Sequence, residues 1–406
     1  MNHALRLRNA CYVTNLSMSI VANLSPLLFI IFKDLYGISY SLLGLLVTVN
    51  YVSQLLIDLI FSFYSHRFNI PKTVQSIPAL TIIGLLVYAL WPWLFPNHTY
   101  LGLLLGTVIF STAGGLGEVL ISPVIAALPA DDPDREMSKL HSIYAWGVVF
   151  VVILSTVFLL IFRRENWQFL PMILAVIPLI ALILFRKTQI PSLKDTQKSE
   201  IPLSFLKEKG LWLFVAGIFV GGAAECTMAQ WSSGYLEQAL GIPKVWGDLL
   251  GVTCFYIMLG TGRTLYAKKG KEIRTVLIVG AWGAAACYLL CAITPNALLG
   301  LLCCGVTGLF VSMLWPGNLI IASERYASSG VFIFAIMAAG GDLGASIGPQ
   351  LVGLITDGVC ASPALVSAAT SLGLTADQFG MKLGILAGMC FPLCAGILYQ
   401  KFYVKK

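Results

Sequence analysis

Long apolar runs separated by short polar stretches dominate this chain, and their length leaves little choice of fold. An α-helix rises about 1.5 Å per residue, so about 20 apolar residues are needed to cross the hydrocarbon layer of a bilayer. Twelve runs meet that requirement, at roughly 11–32, 40–65, 74–95, 100–128, 140–162, 167–185, 211–236, 246–267, 273–293, 298–323, 330–356 and 382–402. The sequence is 58% hydrophobic and 11% charged, against about 25% charged for a typical soluble protein. Mean hydropathy is +0.84. Soluble proteins need a polar shell, and this chain has too little to make one. The expected solvent is therefore lipid, where each backbone N–H and C=O must be satisfied inside its own helix. The expected fold class is an all-α integral membrane protein with twelve transmembrane helices.

A polar stretch at 186–210 carries Lys187, Pro191, Lys194, Lys198, Pro202, Lys207 and Lys209 and holds no run long enough to span. It divides the chain into a six-helix bundle at 1–185, a linker at 186–210 and a second six-helix bundle at 211–406. Positive charge sets the orientation, because loops rich in Lys and Arg stay cytoplasmic. With the N-terminus inside, twenty of the 26 Lys and Arg residues fall on the cytoplasmic side, five on the other, and Arg263 within a span. Both termini are expected in the cytoplasm, in a multi-pass protein of the cell (inner or plasma) membrane. The first apolar run is long for a signal peptide and has no clear small-residue cleavage site, so it reads as the first span. The net charge of +7 lies in loops and is a topology signal, not a nucleic-acid surface.

Acids inside the spans carry the chemistry. A carboxylate near the bilayer centre costs roughly 2.5–3.5 kcal/mol on insertion scales, so such residues usually serve a purpose. Glu118, Glu225 and Asp342 lie near the middles of spans four, seven and eleven. With no Lys or Arg expected at their depth, they suit reversible protonation and are the candidate proton-coupling residues; a packing role through interhelical hydrogen bonds is the alternative. Asp58, His66, Arg67, Arg263 and Glu324 sit nearer the cytoplasmic ends and form a candidate gate. The candidate substrate contacts are the polar and aromatic residues Asn23, Asn50, Gln54, Tyr144, Trp146, Gln230, Trp231, Tyr256, Trp315 and Asn318. An amide beside an indole, as at Gln230 and Trp231, is a common pair for sugars: the ring stacks on an apolar sugar face and the amide bonds hydroxyls.

The loop after span two reads Tyr64-Ser65-His66-Arg67-Phe68-Asn69-Ile70-Pro71-Lys72, and its counterpart after span eight reads Gly262-Arg263-Thr264-Leu265-Tyr266-Ala267-Lys268-Lys269-Gly270. Span four ends Leu120-Ile121-Ser122-Pro123, and span ten holds Met313-Leu314-Trp315-Pro316. Six plus six spans with these basic loops resemble the major facilitator superfamily. That resemblance implies two pseudo-symmetric six-helix bundles, with a solute site at the midplane. Within the superfamily, Gly114-Gly115-Leu116-Gly117-Glu118-Val119-Leu120-Ile121-Ser122-Pro123 resembles span four of the fucose/glucose-type sugar:proton symporters. There the Glu is thought to couple proton and sugar, which places Glu118 in that role. His66 and Asn69 stand where the loop signature has an acid and a glycine, and span one, Val21-Ala22-Asn23-Leu24-Ser25-Pro26-Leu27, lacks the subgroup's acid.

The expected function is secondary active transport of a small polar solute, a sugar, by alternating access with proton coupling through Glu118. A proton-driven exporter of drugs or metabolites is the alternative; a membrane receptor or an intramembrane enzyme is the non-transport one. No phosphate-cradling Gly-Lys-Ser/Thr loop is present to use ATP. His3, His66, His98 and His141 are dispersed, so no metal site and no cofactor are expected. The expected partners are the solute, protons and the lipid bilayer, for a monomeric protein that is not an enzyme.

Overall fold

The computed structural model describes residues 3–64, 67–129, 133–186, 188–190, 207–269, 272–326 and 331–403. Among them the chain is helical, with no strand. Eight helices are long and apolar enough to cross a membrane alone, and counting each of two bent pairs (His3–Leu27 with Phe29–Tyr36, Ile336–Ala361 with Pro363–Ser371) as one span brings the number to ten. Two shorter apolar helices, Trp146–Phe162 and Phe169–Phe185, fall below that length. The chain folds into two compact units, Met1–Ser25 with Val49–Glu200, and Pro26–Thr48 with Ile201–Lys406. The stretch Pro26–Thr48 thus packs in the second unit although both its flanks lie in the first.

The first unit holds most of α1 (His3–Leu27) and α3 (Tyr40–Tyr64), followed by α4 (Ile70–Leu94), α5 (Thr99–Ala126), α6 (Pro133–Phe162), α7 (Phe169–Leu174) and α8 (Val176–Phe185). Leu7, Cys11, Phe61, Ile77, Leu116, Leu120 and Phe185 are among the side chains of its apolar core. Arg6 closes one end of α8 from a distance: its Nε and Nη2 donate to the carbonyls of Leu184 and Ile183, each at 3.0 Å. Those carbonyls belong to a helix C-terminus, which has no backbone donors of its own to offer them. Asn69 begins α4 by accepting from the Lys72 amide at 3.1 Å.

The second unit receives α2 (Phe29–Tyr36), the start of α3, and then α9 (Lys209–Leu240), α10 (Lys244–Trp246), a π-helical turn at Gly247–Val252, and α11 (Thr253–Lys269). After these come α12 (Ile273–Ile293), α13 (Ala297–Val311), α14 (Pro316–Arg325), α15 (Val331–Ala361), α16 (Pro363–Ser371), α17 (Ala376–Gly388), α18 (Cys390–Leu398) and a last π-helical turn at Tyr399–Tyr403. Span one bends by 44° after Leu27. Pro26 lies just before the bend, where its ring removes an N–H and crowds the carbonyl four residues back. Gly37, at φ 65°, ends α2 in the left-handed conformation that closes a helix. The sequence places 357–381 between spans eleven and twelve. In the structure α15 runs on to Ala361, turns by 89° into α16, and α17 starts at Ala376 behind a Thr375–Gln378 capping box.

Helix α15 lies against α9 at van der Waals contact, and the sequence shows why. A Cβ built on Gly344 would stand 2.0 Å from the Phe219 carbonyl oxygen and 3.0 Å from the Ala223 amide nitrogen. Both are backbone atoms and cannot swing aside. Small residues let helices approach where no hydrophobic effect drives them together. Gly344→Ala is expected to cost about 3 kcal/mol, the upper end of overpacking effects, seen as a lowered melting temperature of the purified protein. An unchanged melting temperature would mean that the two helices are not held this close.

Candidate transport sites in the two units

In the first unit, α3 presents Asn50, Gln54 and Asp58 at intervals of four residues, which puts them on one face. All three are buried. Helix α5 meets that face through glycines: Cβ atoms on Gly114 and Gly115 would touch Gln54 at 3.4 and 3.0 Å. The Ser111 hydroxyl donates to Asn50 Oδ1 at 2.5 Å, and Gln54 Nε2 reaches the Asn50 carbonyl at 3.5 Å. One turn along α5 stands Glu118. Carboxylate oxygens of Asp58 and Glu118 lie within 4.8 Å of each other. Asp58 is buried, whereas Glu118 keeps solvent-accessible surface. Two carboxylates that close repel when both are ionised, and a proton held between them removes the repulsion. The sequence reading sets Asp58 apart as a gate residue; the structure sets it beside Glu118.

The second unit holds a different arrangement. Arg263 on α11 reaches Glu225 on α9, with Nη2 at 3.3 Å from Oε1 and 3.4 Å from Oε2. Its Nε donates to the Ser312 carbonyl at 3.1 Å. That carbonyl is available because span ten unwinds at residues 312–315, between α13 and α14. Pro316 follows at the first position of α14, where its missing N–H leaves no bond unmade. The expectation that no Arg or Lys reaches the depth of the acids is therefore corrected for Glu225. Chain position makes Arg263 a gate candidate, whereas its side chain is bound to Glu225 and the Ser312 carbonyl. The arginine side chain is 41% exposed and that of Glu225 16%, so solvent or a ligand can reach the pair.

Beside the pair, the same unwound turn carries Trp315. Its ring fits over two glycines: Cβ atoms on Gly222 and Gly341 would come within 2.9 and 2.4 Å of indole carbons. Trp315 is half-buried. Asp342, next to Gly341, is buried on α15, where its carbonyl accepts from the Ser346 hydroxyl at 2.8 Å.

The other candidates fall into packing or outside the description. Trp231 is fully buried, donates its indole N–H to the Pro349 carbonyl at 2.8 Å, and has Phe29 at 5.0 Å and Tyr40 at 6.1 Å between ring centres. No face of that ring remains for a solute, so the amide–indole pairing read from Gln230 and Trp231 does not form a stacking surface. Gln230 is buried as well. Asn318 is fully buried and donates to the Leu314 carbonyl at 2.5 Å and to Tyr399 Oη at 2.8 Å; Tyr399 in turn donates to the Gly217 carbonyl at 2.9 Å. Asn23 is buried with its amide on the Ser19 carbonyl at 2.9 Å, and Tyr256 is buried on α11. Tyr144 is half-buried and Trp146 is 69% exposed. The Arg67 guanidinium lies 5.2 Å over the Tyr64 ring. His66 and the side chain of Glu324 lie outside the described residues.

The structure also holds charged groups that no motif announced. Lys244 and Asp248 are buried and paired at 2.9 Å, with the Ser233 hydroxyl donating to Asp248. Their spacing of four residues on apolar flanks was the one available signal, and it is common on any helix.

Solved structures share this fold. A D-xylose–proton symporter is 16% identical, with 98% of this chain and 97% of the other covered and a TM-score of 0.71. A variant of the nucleoside transporter NupG is 14% identical, with 98% and 99% covered and a TM-score of 0.71. A bacterial homolog of the human lysosomal transporter Spinster, in an inward-facing and occupied conformation, is 13% identical, with 98% and 95% covered and a TM-score of 0.68. No curated protein sequence matches the chain. The sequence profile of the Major Facilitator Superfamily matches residues 10–349, well over half of the chain. On that match and on its helical architecture, the protein belongs to the Major Facilitator Superfamily of membrane transporters.

Proposed function

We propose that this protein is a proton-coupled secondary transporter of a small polyhydroxylated solute, a sugar, working as a monomer by alternating access with both termini in the cytoplasm. The observation that carries the reading is the Asp58–Glu118 pair, two carboxylates within 4.8 Å of each other among apolar helices. Such a pair binds one proton readily and releases it when its surroundings become wet or a second charge approaches. Span one has no acid, and Asp58 in span two fills the place of a partner to Glu118. The chemistry available to the solute comes from the second unit. Arg263 and Glu225 offer a donor and an acceptor side by side, the complement of vicinal hydroxyls, and the half-buried Trp315 is the candidate for stacking on an apolar sugar face. Asp342 is a further proton-coupling candidate on the same unit. The side of the membrane follows from the distribution of Lys and Arg.

A nucleoside is the second reading, because a nucleobase would stack on Trp315 as well as a sugar ring does. A melting screen of the purified protein separates the two. Ligands that bind the folded state raise its melting temperature by mass action, about 2.7 kcal/mol of added stability at a hundredfold excess over Kd. Monosaccharides are expected to shift the melting point and nucleosides and amphipathic drugs are not. Shifts confined to nucleosides or to drugs would overturn the sugar assignment.

A further inference from the structure

Helix α3 begins under the control of a residue more than 300 positions away. The first amides of a helix have no partner within it. Here Tyr40 N–H donates to Asp357 Oδ1 at 3.0 Å and Ser41 N–H to Asp357 Oδ2 at 2.7 Å. Both oxygens of one carboxylate on α15 are thus spent on the N-terminus of α3, where the helix dipole also favours negative charge. The local cap, Ser39, takes only the Leu42 amide, at 3.4 Å. A second carboxylate adds to the clasp: Asp377 on α17 accepts from the Tyr40 hydroxyl at 2.8 Å and pairs with Lys33 at 3.3 Å. Gln350 donates to the Ser41 carbonyl at 3.2 Å.

These contacts join the apolar packing of Phe29 and Tyr40 on Trp231 in tying Pro26–Thr48 to the second unit. A hydrophobic seal alone would not need them. Each is polar, reversible and directed at the turn between α2 and α3. Asp357 and Asp377 are half-exposed, so solvent can take over their bonds on release.

We propose that Asp357 is a latch: it holds the α2–α3 turn to the second unit in this state of the transporter and lets it go in another. Asp377 and Lys33 assist by fixing Tyr40. The latch acts on backbone amides, so it works whichever solute is carried, and it stands or falls separately from the sugar assignment.

Hydrogen–deuterium exchange of the full-length protein in nanodiscs, without added solute, reads those amides directly. In Asp357→Ala, exchange across 38–46 is expected to rise at least roughly tenfold, while the amides of Ile273–Ile293 keep their protection, as for a local opening and not a global one. Asp357→Asn keeps one acceptor oxygen and is expected to fall between wild type and Asp357→Ala; it also serves if the alanine variant does not fold. Unchanged exchange at 38–46 in both variants would overturn the latch. A parallel rise in Ile273–Ile293 would also overturn it, because Asp357 would then be an ordinary structural cap.

Discussion

Glu118→Gln is expected to lower solute accumulation under an imposed pH gradient by about 100-fold, the scale on which loss of a proton-transferring group is felt. The measurement uses proteoliposomes and the sugar giving the largest melting shift. Glutamine keeps the size and the hydrogen-bonding atoms of the side chain but cannot bind and release a proton. Packing is therefore little disturbed, and the variant should insert and melt like the wild type. Exchange of labelled for unlabelled solute with no pH gradient should persist, since that half of the cycle needs binding without net proton movement. Asp58→Asn sharpens the test. If the two carboxylates share a proton, Asp58→Asn removes one of the two groups that hold it, and proton-driven uptake should fall while solute exchange persists. Undiminished accumulation in Glu118→Gln would show that coupling does not pass through Glu118.

What the sequence made legible followed from physics that acts over a single span. Run length and the absence of a polar shell were enough to give twelve helices, and the apolar cost of a buried acid was enough to single out Glu118, Glu225 and Asp342. What it left unread depends on which helices touch. Asn50, Gln54 and Asp58 show the four-residue spacing of one helix face, yet nothing in the chain says that α5 lies against that face. Glycines at 114 and 115 are the available signal, and in sequence they fit a family motif as well as a contact. Arg263 was placed by its distance from the end of span eight, whereas its side chain reaches back to Glu225 and to the Ser312 carbonyl. Trp231 shows the limit from the other side. An indole next to an amide looks the same in sequence whether its ring is open to solute or enclosed by Phe29 and Tyr40. Asp357 carried no motif, because a carboxylate that caps another helix is recognised only by the amides it faces.

The Arg263–Glu225 pair yields the second large effect. Arg263→Ala leaves the Glu225 carboxylate without its cation and the Ser312 carbonyl without its donor. Uptake of the same sugar is expected to fall about tenfold or more if the pair bonds solute hydroxyls, since a polar group left unmatched in a binding site costs about 1–3 kcal/mol. The loss of stability should be smaller than the roughly 3–5 kcal/mol of a fully buried broken pair, because the arginine side chain is 41% exposed. The Glu225→Gln, Arg263→Gln double variant should melt closer to the wild type than Arg263→Ala does, because it carries no unmatched charge; singles and double that simply add would show that the two side chains are not coupled. Arg263→Lys separates charge from shape. A lysine can neutralise Glu225, but its single nitrogen lacks the rigid fork that serves the carboxylate and the Ser312 carbonyl at once. Arg263→Lys should therefore recover stability and leave uptake impaired. Full recovery of uptake would mean that the site requires only a positive charge near Glu225, and that the unwound turn at 312–315 takes no part in holding the solute.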